Sequence, residues 1–219
     1  MQVLITGANR GIGAALAGEA LAAGHQVIGT ARNIAGLGAE IEWVALDVTA
    51  PESLAAFAGI MAGRPLDVLV CNAGIYPDKS CRSSAEFTRD IWETALATNV
   101  TGVWLSLQAV LDNLLATKGK IAIISSAMAS SARAPGGAYA YRASKAAATN
   151  LARNLAADLQ SAGVAVGSYH PGWVRTDMGG DSADISVAQS ASGLWARIEA
   201  LSLGTTGVFE DYKGDRLDF

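Results

Sequence analysis

The first chemical suggestion in this 219-residue chain is a tyrosine and a lysine one helical turn apart. Tyr141-Arg142-Ala143-Ser144-Lys145 opens an alanine-rich stretch with helical character, and residues at i and i+4 share a helix face. An ammonium beside a phenol favours the phenolate, so Lys145 is expected to lower the Tyr141 pKa. A phenol tuned in this way exchanges a proton with a carbonyl or alcohol oxygen near neutral pH. Tyr139 has Ala143 at its own i+4 position and lacks such a partner. Upstream, Ser125 and Ser126 end an apolar run. A hydroxyl at a strand end can hold a reacting oxygen beside the phenol; Ser126 is the preferred candidate and Ser125 the weaker one. Many Tyr-Lys pairs at this spacing are plain surface pairs, so the surroundings must decide.

The second constellation is Thr6-Gly7-Ala8-Asn9-Arg10-Gly11-Ile12-Gly13, between the first strand-like run and the first helix-like one. Glycine lets the backbone turn tightly and approach a pyrophosphate, and a helix N-terminus offers free N–H donors to it. The spacing G-x-x-x-G-x-G differs from the general dinucleotide fingerprint. After the second strand, where NAD-binding loops commonly place an acid for the ribose 2′-hydroxyl, the chain reads Gly29-Thr30-Ala31-Arg32. Arg32 is suited to a 2′-phosphate, with Arg10 within reach of the same group. The expected cofactor is therefore NADP(H) in preference to NAD(H).

These residues need a scaffold. Strand candidates fall at Gln2-Ile5, Gln26-Thr30, Ile41-Leu46, Val68-Cys71, Lys120-Ser125 and Val164-Tyr169, with helical stretches near 12–24, 51–62, 87–116 and 139–162. Apolar strands alternating with helices predict an α/β fold: a single doubly wound Rossmann-type domain over 1–219 with a mainly parallel central sheet. Gly24, Gly63, Gly119 and Gly163 stand where helices should stop. The turn-rich segment 171–203, with a helix expected at 187–201, lies where a substrate lid would sit over the strand ends.

Composition narrows the classes further. Half the residues are apolar, at 51%, so a large core is available. A net charge of −4 with both signs interspersed gives no basic stripe, so a nucleic-acid partner is not expected. Two histidines far apart, His25 and His170, and two cysteines without metal spacing, Cys71 and Cys81, point to no metal site. No apolar run reaches the length of a membrane span and the N-terminus opens directly as a strand, so a cytoplasmic protein with reduced thiols is expected.

The chain resembles the short-chain dehydrogenase/reductase family along essentially its whole length. The resemblance rests on Thr6 to Gly13, Asp47-Val48 after the third strand, Asn72-Ala73-Gly74 after the fourth, Asn99, Ser126, Tyr141-x-x-x-Lys145, and Pro171-Gly172 with Thr176. The stretches His170 to Gly180 and Ala140 to Lys145 are similar to the C-factor and Sniffer-like carbonyl reductase subgroup. The resemblance implies that Asn99, Ser126, Tyr141 and Lys145 are catalytic, with Asn99 disturbing its helix and holding a water that links to Lys145. It implies a cofactor site of Gly7, Asn9, Arg10, Gly11, Ile12, Gly13, Arg32, Asp47, Val48, Asn72, Ala73, Gly74, Tyr141, Lys145, Pro171, Gly172, Val174 and Thr176. Asp47 would meet the adenine amino group, Val48 the ring, Lys145 the nicotinamide ribose, and Pro171 to Val174 with Thr176 the carboxamide. Cys71 stands where the family often has asparagine, the gap from Ser126 to Tyr141 is longer than usual, and the chain is short.

The expected activity is hydride transfer between NADP(H) and a small carbonyl or alcohol, with Tyr141 as acid or base. A nucleotide-binding signalling protein on the same fold is the alternative, and a lyase or epimerase a third reading. Tyr76, Trp173 and Met178 follow strand ends and are candidate pocket walls. Monomer, homodimer and tetramer are all compatible with the sequence, a homodimer being the assembly considered first.

Overall fold

Short runs of valine, isoleucine and leucine become buried strands, and the alanine-rich stretches between them become helices. In the computed structural model, which describes residues 1–219, the strands are β1 Gln2–Ile5, β2 Gln26–Ala31, β3 Glu42–Ala45, β4 Val68–Cys71, β5 Lys120–Ile124, β6 Ala165–His170 and β7 Val208–Asp211. The α-helices are α1 Gly11–Ala22, α2 Pro51–Met61, α3 Arg89–Leu96, α4 Gly102–Gln108, α5 Leu111–Thr117, α6 Tyr139–Leu159 and α7 Val187–Ala200. All seven strands form one parallel sheet in the order β3-β2-β1-β4-β5-β6-β7. The sheet is thus wholly parallel, a Rossmann-like doubly wound arrangement.

Successive residues of a strand face opposite sides, and the core divides accordingly. Leu4, Ile28, Leu69, Ile121 and Val166 pack with α2, α4, α5 and α6; Val3, Ile5, Val27, Val70 and Tyr169 pack with α1 and α7. The winding reverses between β1 and β4, and in such sheets ligands bind beyond the carboxyl ends of the strands there.

Three expectations are corrected. The helix expected at 87–116 is three: α3 runs through a π-helical turn at Ala97–Thr101 into α4, and α5 leaves at 57° after a break. Gly119 is not the left-handed helix stop; Lys118 takes that conformation at φ 54°. Gly119 instead lets the chain pass the Leu66 and Asp67 carbonyls, which a Cβ would strike. The seventh strand, β7, pairs with β6 through Gly167↔Val208 to His170↔Asp211. The helix expected at 187–201 is α7, started by a capping box between Ser186 and Gln189.

Candidate active site

The glycine loop is held open from below. Thr6 Oγ1 accepts the N–H groups of Asn72 and Ala73, each at 3.0 Å. The Asn72 amide returns to the Thr6 and Gly7 carbonyls at 2.9 and 3.0 Å. Gly7 and Gly11 sit at φ +67° and +55°, and a Cβ on Gly13 would strike the Gly7 carbonyl and the Asn72 amide. Helix α1 begins with no side-chain cap and no acid in its first turn. Its N–H groups therefore face outward unclaimed beside exposed Asn9 and Arg10, an arrangement that fits a pyrophosphate.

Around this cradle the other expected cofactor residues follow the carboxyl ends of the strands. Arg32 is exposed just beyond β2. Asp47 Oδ1 accepts the Thr49 N–H at 2.9 Å and hydroxyl at 2.7 Å. The Thr49 bonds hold its carboxyl below the usual range, and the Arg32 charge adds to them. Val48 is buried against Gly102, where α4 starts. Arg10, expected to point at a 2′-phosphate, here pairs with Asp177, both side chains lying well out in solvent. That pair joins the glycine loop to the segment after β6, and Thr176 also lies against Gly11. Gly172 turns at φ +85° under Ile185 and Tyr212, and Val174 forms a bridge with Ile185. Trp173 and Met178 are exposed along this segment.

Ser126, Tyr141 and Lys145 meet at the carboxyl ends of β4 and β5. Ser126 accepts the Met128 N–H at 3.1 Å, and its hydroxyl lies beside the Tyr141 phenol. Ser125 instead bonds the Lys145 carbonyl and the Thr149 hydroxyl of α6, so it anchors the helix. Lys145 is buried, donates to the Ile124 carbonyl at 2.9 Å, and lies 5.8 Å from the Tyr141 ring centre. Gly74 passes both Lys145 Nζ and Asn99 Oδ1, leaving little room for a side chain. Asn99 sits in the π-helical turn, where its amide bonds the Ile75 N–H, the Ile75 carbonyl and the Ser144 hydroxyl.

The electrostatics correct one expectation. Burial pushes the Tyr141 phenol up to about 12; the Ser126 hydroxyl pulls it down, and Tyr76 and Asp78 push it further up. Lys145 does not win this contest, because burial draws its own pKa down to about 8 and its Nζ is turned to a carbonyl. Two contributors lay outside the sequence reading of the site. Tyr76, named as a pocket wall, stacks on Tyr141 with centroids 4.1 Å apart and planes 21° apart. Asp78, which no motif singled out, accepts the N–H groups of Ala140 and Tyr141. Tyr139 is exposed and packs edge-on against Phe87.

Comparison with known proteins agrees with this geometry. The family model for short chain dehydrogenase matches residues 1–185. The C-signal protein of Myxococcus xanthus is 35% identical over 161 residues, spanning 73% of this chain and 96% of that protein. Among solved structures, a short-chain dehydrogenase/reductase from Burkholderia multivorans with bound NADP superposes with TM-score 0.91 at 30% identity, covering 100% of this chain and 99% of the other. The carbonyl reductase Sniffer of D. melanogaster gives 0.89 at 30% identity, with the same coverage. The chain belongs to the short chain dehydrogenase family of oxidoreductases and is similar to its carbonyl reductase and C-signal members.

Proposed function

We propose that this chain is an NADP(H)-dependent reductase of small carbonyl compounds in which Tyr141 gives the proton. The observation that carries the reading is the meeting of Ser126, Tyr141 and Lys145 at one sheet edge, beside a glycine loop shaped for a pyrophosphate. The NADP in the Burkholderia structure and the carbonyl reductase name of Sniffer support it.

The cofactor would rest on Gly7 to Gly13, with Arg32 and, once released from Asp177, Arg10 at the 2′-phosphate. Asp47, Val48 and Asn72 to Gly74 would line its adenosine half, and Pro171 to Thr176 its nicotinamide half. When bound, that group supplies the hydride. The chain's own residues hold the carbonyl oxygen between the Ser126 hydroxyl and the Tyr141 phenol. A buried phenol near pKa 12 is protonated at neutral pH and gives its proton only to a strong base, as the oxygen becomes when charge develops on it. Lys145, near 8, exchanges protons at working pH and would return a proton to the phenol after each turnover. Of the segment 171–203 expected as a lid, α7 packs into the core against α1, so residues 171–186 between β6 and α7 would form the lid.

The test is NADPH oxidation against small aldehydes, ketones and diketones, with NADH alongside. Turnover preferring NADPH supports the reading. Tight NADPH binding with no turnover across the set would favour a signalling role, the reading to which the C-signal relative lends weight.

A further inference from the structure

Helix α6 starts without a cap of its own. Ala138, just before it, is left-handed at φ 49°, no local side chain bonds the first-turn N–H groups, and that turn holds no acid. A left-handed alanine carries strain, so nothing local fixes where the helix begins. The missing anion comes from the loop after β4. Asp78, 1% exposed, accepts the Ala140 N–H at 2.9 Å and the Tyr141 N–H at 3.3 Å on each carboxylate oxygen. Charge-assisted bonds of this kind are strongest where water is excluded and at a helix N-terminus. The same loop reaches Tyr141 twice: two residues before Asp78, Tyr76 lies flat on the phenol ring. Its start is fixed by the Asn99 bonds to Ile75.

We propose that Asp78 is a positioning residue for Tyr141, its buried carboxylate setting the first turn of α6 and thereby the place of the phenol. The proposal rests on the reading of Tyr141 as proton donor. Asp78 touches neither substrate nor cofactor in this scheme, since its oxygens are committed to backbone N–H groups. Without it two buried donors lose their partner and the first turn is free to unwind or slip. A displacement near 1 Å of a reacting group costs about 100-fold in rate.

Asp78→Ala, Asp78→Asn and Tyr141→Phe are compared with the wild type in the full chain, using NADPH and butane-2,3-dione. Asp78→Ala is expected to bind one NADPH per chain with unchanged Kd while kcat falls about 100-fold. Asp78→Asn, which keeps an acceptor oxygen but loses the charge, recovers about tenfold of that loss and stays several-fold below the wild type. Hydrogen exchange supplies a reading independent of turnover: Asp78→Ala loses protection at the first turn of α6 and keeps it in the rest of the helix. Wild-type kcat in Asp78→Ala with an inactive Tyr141→Phe overturns the proposal alone. So does a fall in kcat that merely tracks lost NADPH stoichiometry, or unchanged protection at the Ala140 and Tyr141 amides. Full activity in Tyr141→Phe overturns the donor reading and the proposal together. Should Asp78→Ala fail to fold, Asp78→Asn decides: a several-fold lower kcat at full NADPH stoichiometry supports the proposal, and wild-type kcat refutes it.

Discussion

The side-chain amide of Asn99 closes on both backbone groups of Ile75, accepting its N–H at 2.9 Å and donating to its carbonyl at 2.9 Å. A straight α-helix would not present that amide so; the π-helical turn at Ala97–Thr101 widens the backbone at the point where the clasp forms. One irregularity therefore secures the loop that carries Tyr76 and Asp78 to Tyr141.

Removing the clasp should cost stability. Asn99→Ala leaves the Ile75 N–H and carbonyl without their partner in a half-buried place, a loss of about 1–2 kcal/mol. Asn99→Asp keeps the acceptor but turns a carboxylate oxygen towards the Ile75 carbonyl and should cost at least as much. Urea unfolding midpoints at constant m-value measure both, and a midpoint within error of wild type for Asn99→Ala would contradict the role.

The hydroxyl pair separates in kinetics. Tyr141→Phe should lower kcat by about 1000-fold and Ser126→Ala by about 100-fold, each with NADPH affinity within a factor of about two. Ser125→Ala should instead lower the melting temperature, because Ser125 bonds α6 at Lys145 and Thr149. Steady-state kinetics and a thermal melt on the three variants tell these outcomes apart.

Cofactor choice should follow charge at two arginines. Arg32 stands free beyond β2, so Arg32→Ala is expected to reduce the NADPH-over-NADH preference by about tenfold. Arg10 is engaged by Asp177 in an exposed pair of small net value. Asp177→Asn frees it, and NADPH affinity should rise about twofold to threefold. Fluorescence titration with both cofactors gives the ratios; an unchanged preference in Arg32→Ala would remove the 2′-phosphate assignment.

Acid should destabilise the fold through His170. Burial lowers its pKa from 6.5 to about 4, with Asp211 opposing and Arg133 assisting, and its Nδ1 has no partner. Between those values the unfolded chain binds a proton that the folded chain refuses. Stability from this residue is thus whole above about pH 6.5 and falls as pH drops towards 4, by about 3 kcal/mol in all. His170→Asn should flatten the acid side of the stability curve, as measured by denaturant unfolding from pH 4 to 7.

Thiol reactivity should divide the two cysteines. Cys71 is buried at the end of β4, where burial pushes its thiol up to about 12; Cys81 is half-buried. One equivalent of a thiol reagent should react in the native protein and the second only on unfolding, as mass spectrometry of labelled peptides can show.

Strands β1 to β6 and the helices α1, α2, α6 and α7 were legible because short apolar, β-branched runs alternate with longer alanine- and leucine-rich stretches. Asn99 was expected to disturb its helix, and the π-helical turn does so. The break between α4 and α5 was hidden, since no proline or glycine marks it and the apolar pattern runs on. β7 was hidden for a different reason: Val208-Phe209-Glu210-Asp211 is four residues long and half acidic, and its pairing depends on an edge that β6 supplies. Long-range polar contacts were the least legible. Asp78 meets its partners from another loop altogether, and Arg10 meets Asp177 across most of the chain. Charge and spacing along the chain carry no record of such meetings. The same limit explains the Tyr141 pKa, which burial governs and a local Tyr-Lys spacing does not reveal.

The place of β1 in the sheet has a consequence for biosynthesis. Of the seven strands of this sheet, β1 is translated before the others, yet it lies inside the sheet, flanked by β2 and β4. Because every pairing is parallel, each waits for an intervening crossover, and no hairpin is available to nucleate order early. On the ribosome, β1 gains one neighbour when β2 emerges, but its other edge stays open until β4 has been translated. Until then the nascent chain displays an apolar strand with one open edge, the kind of edge that chaperones cover and aggregation exploits.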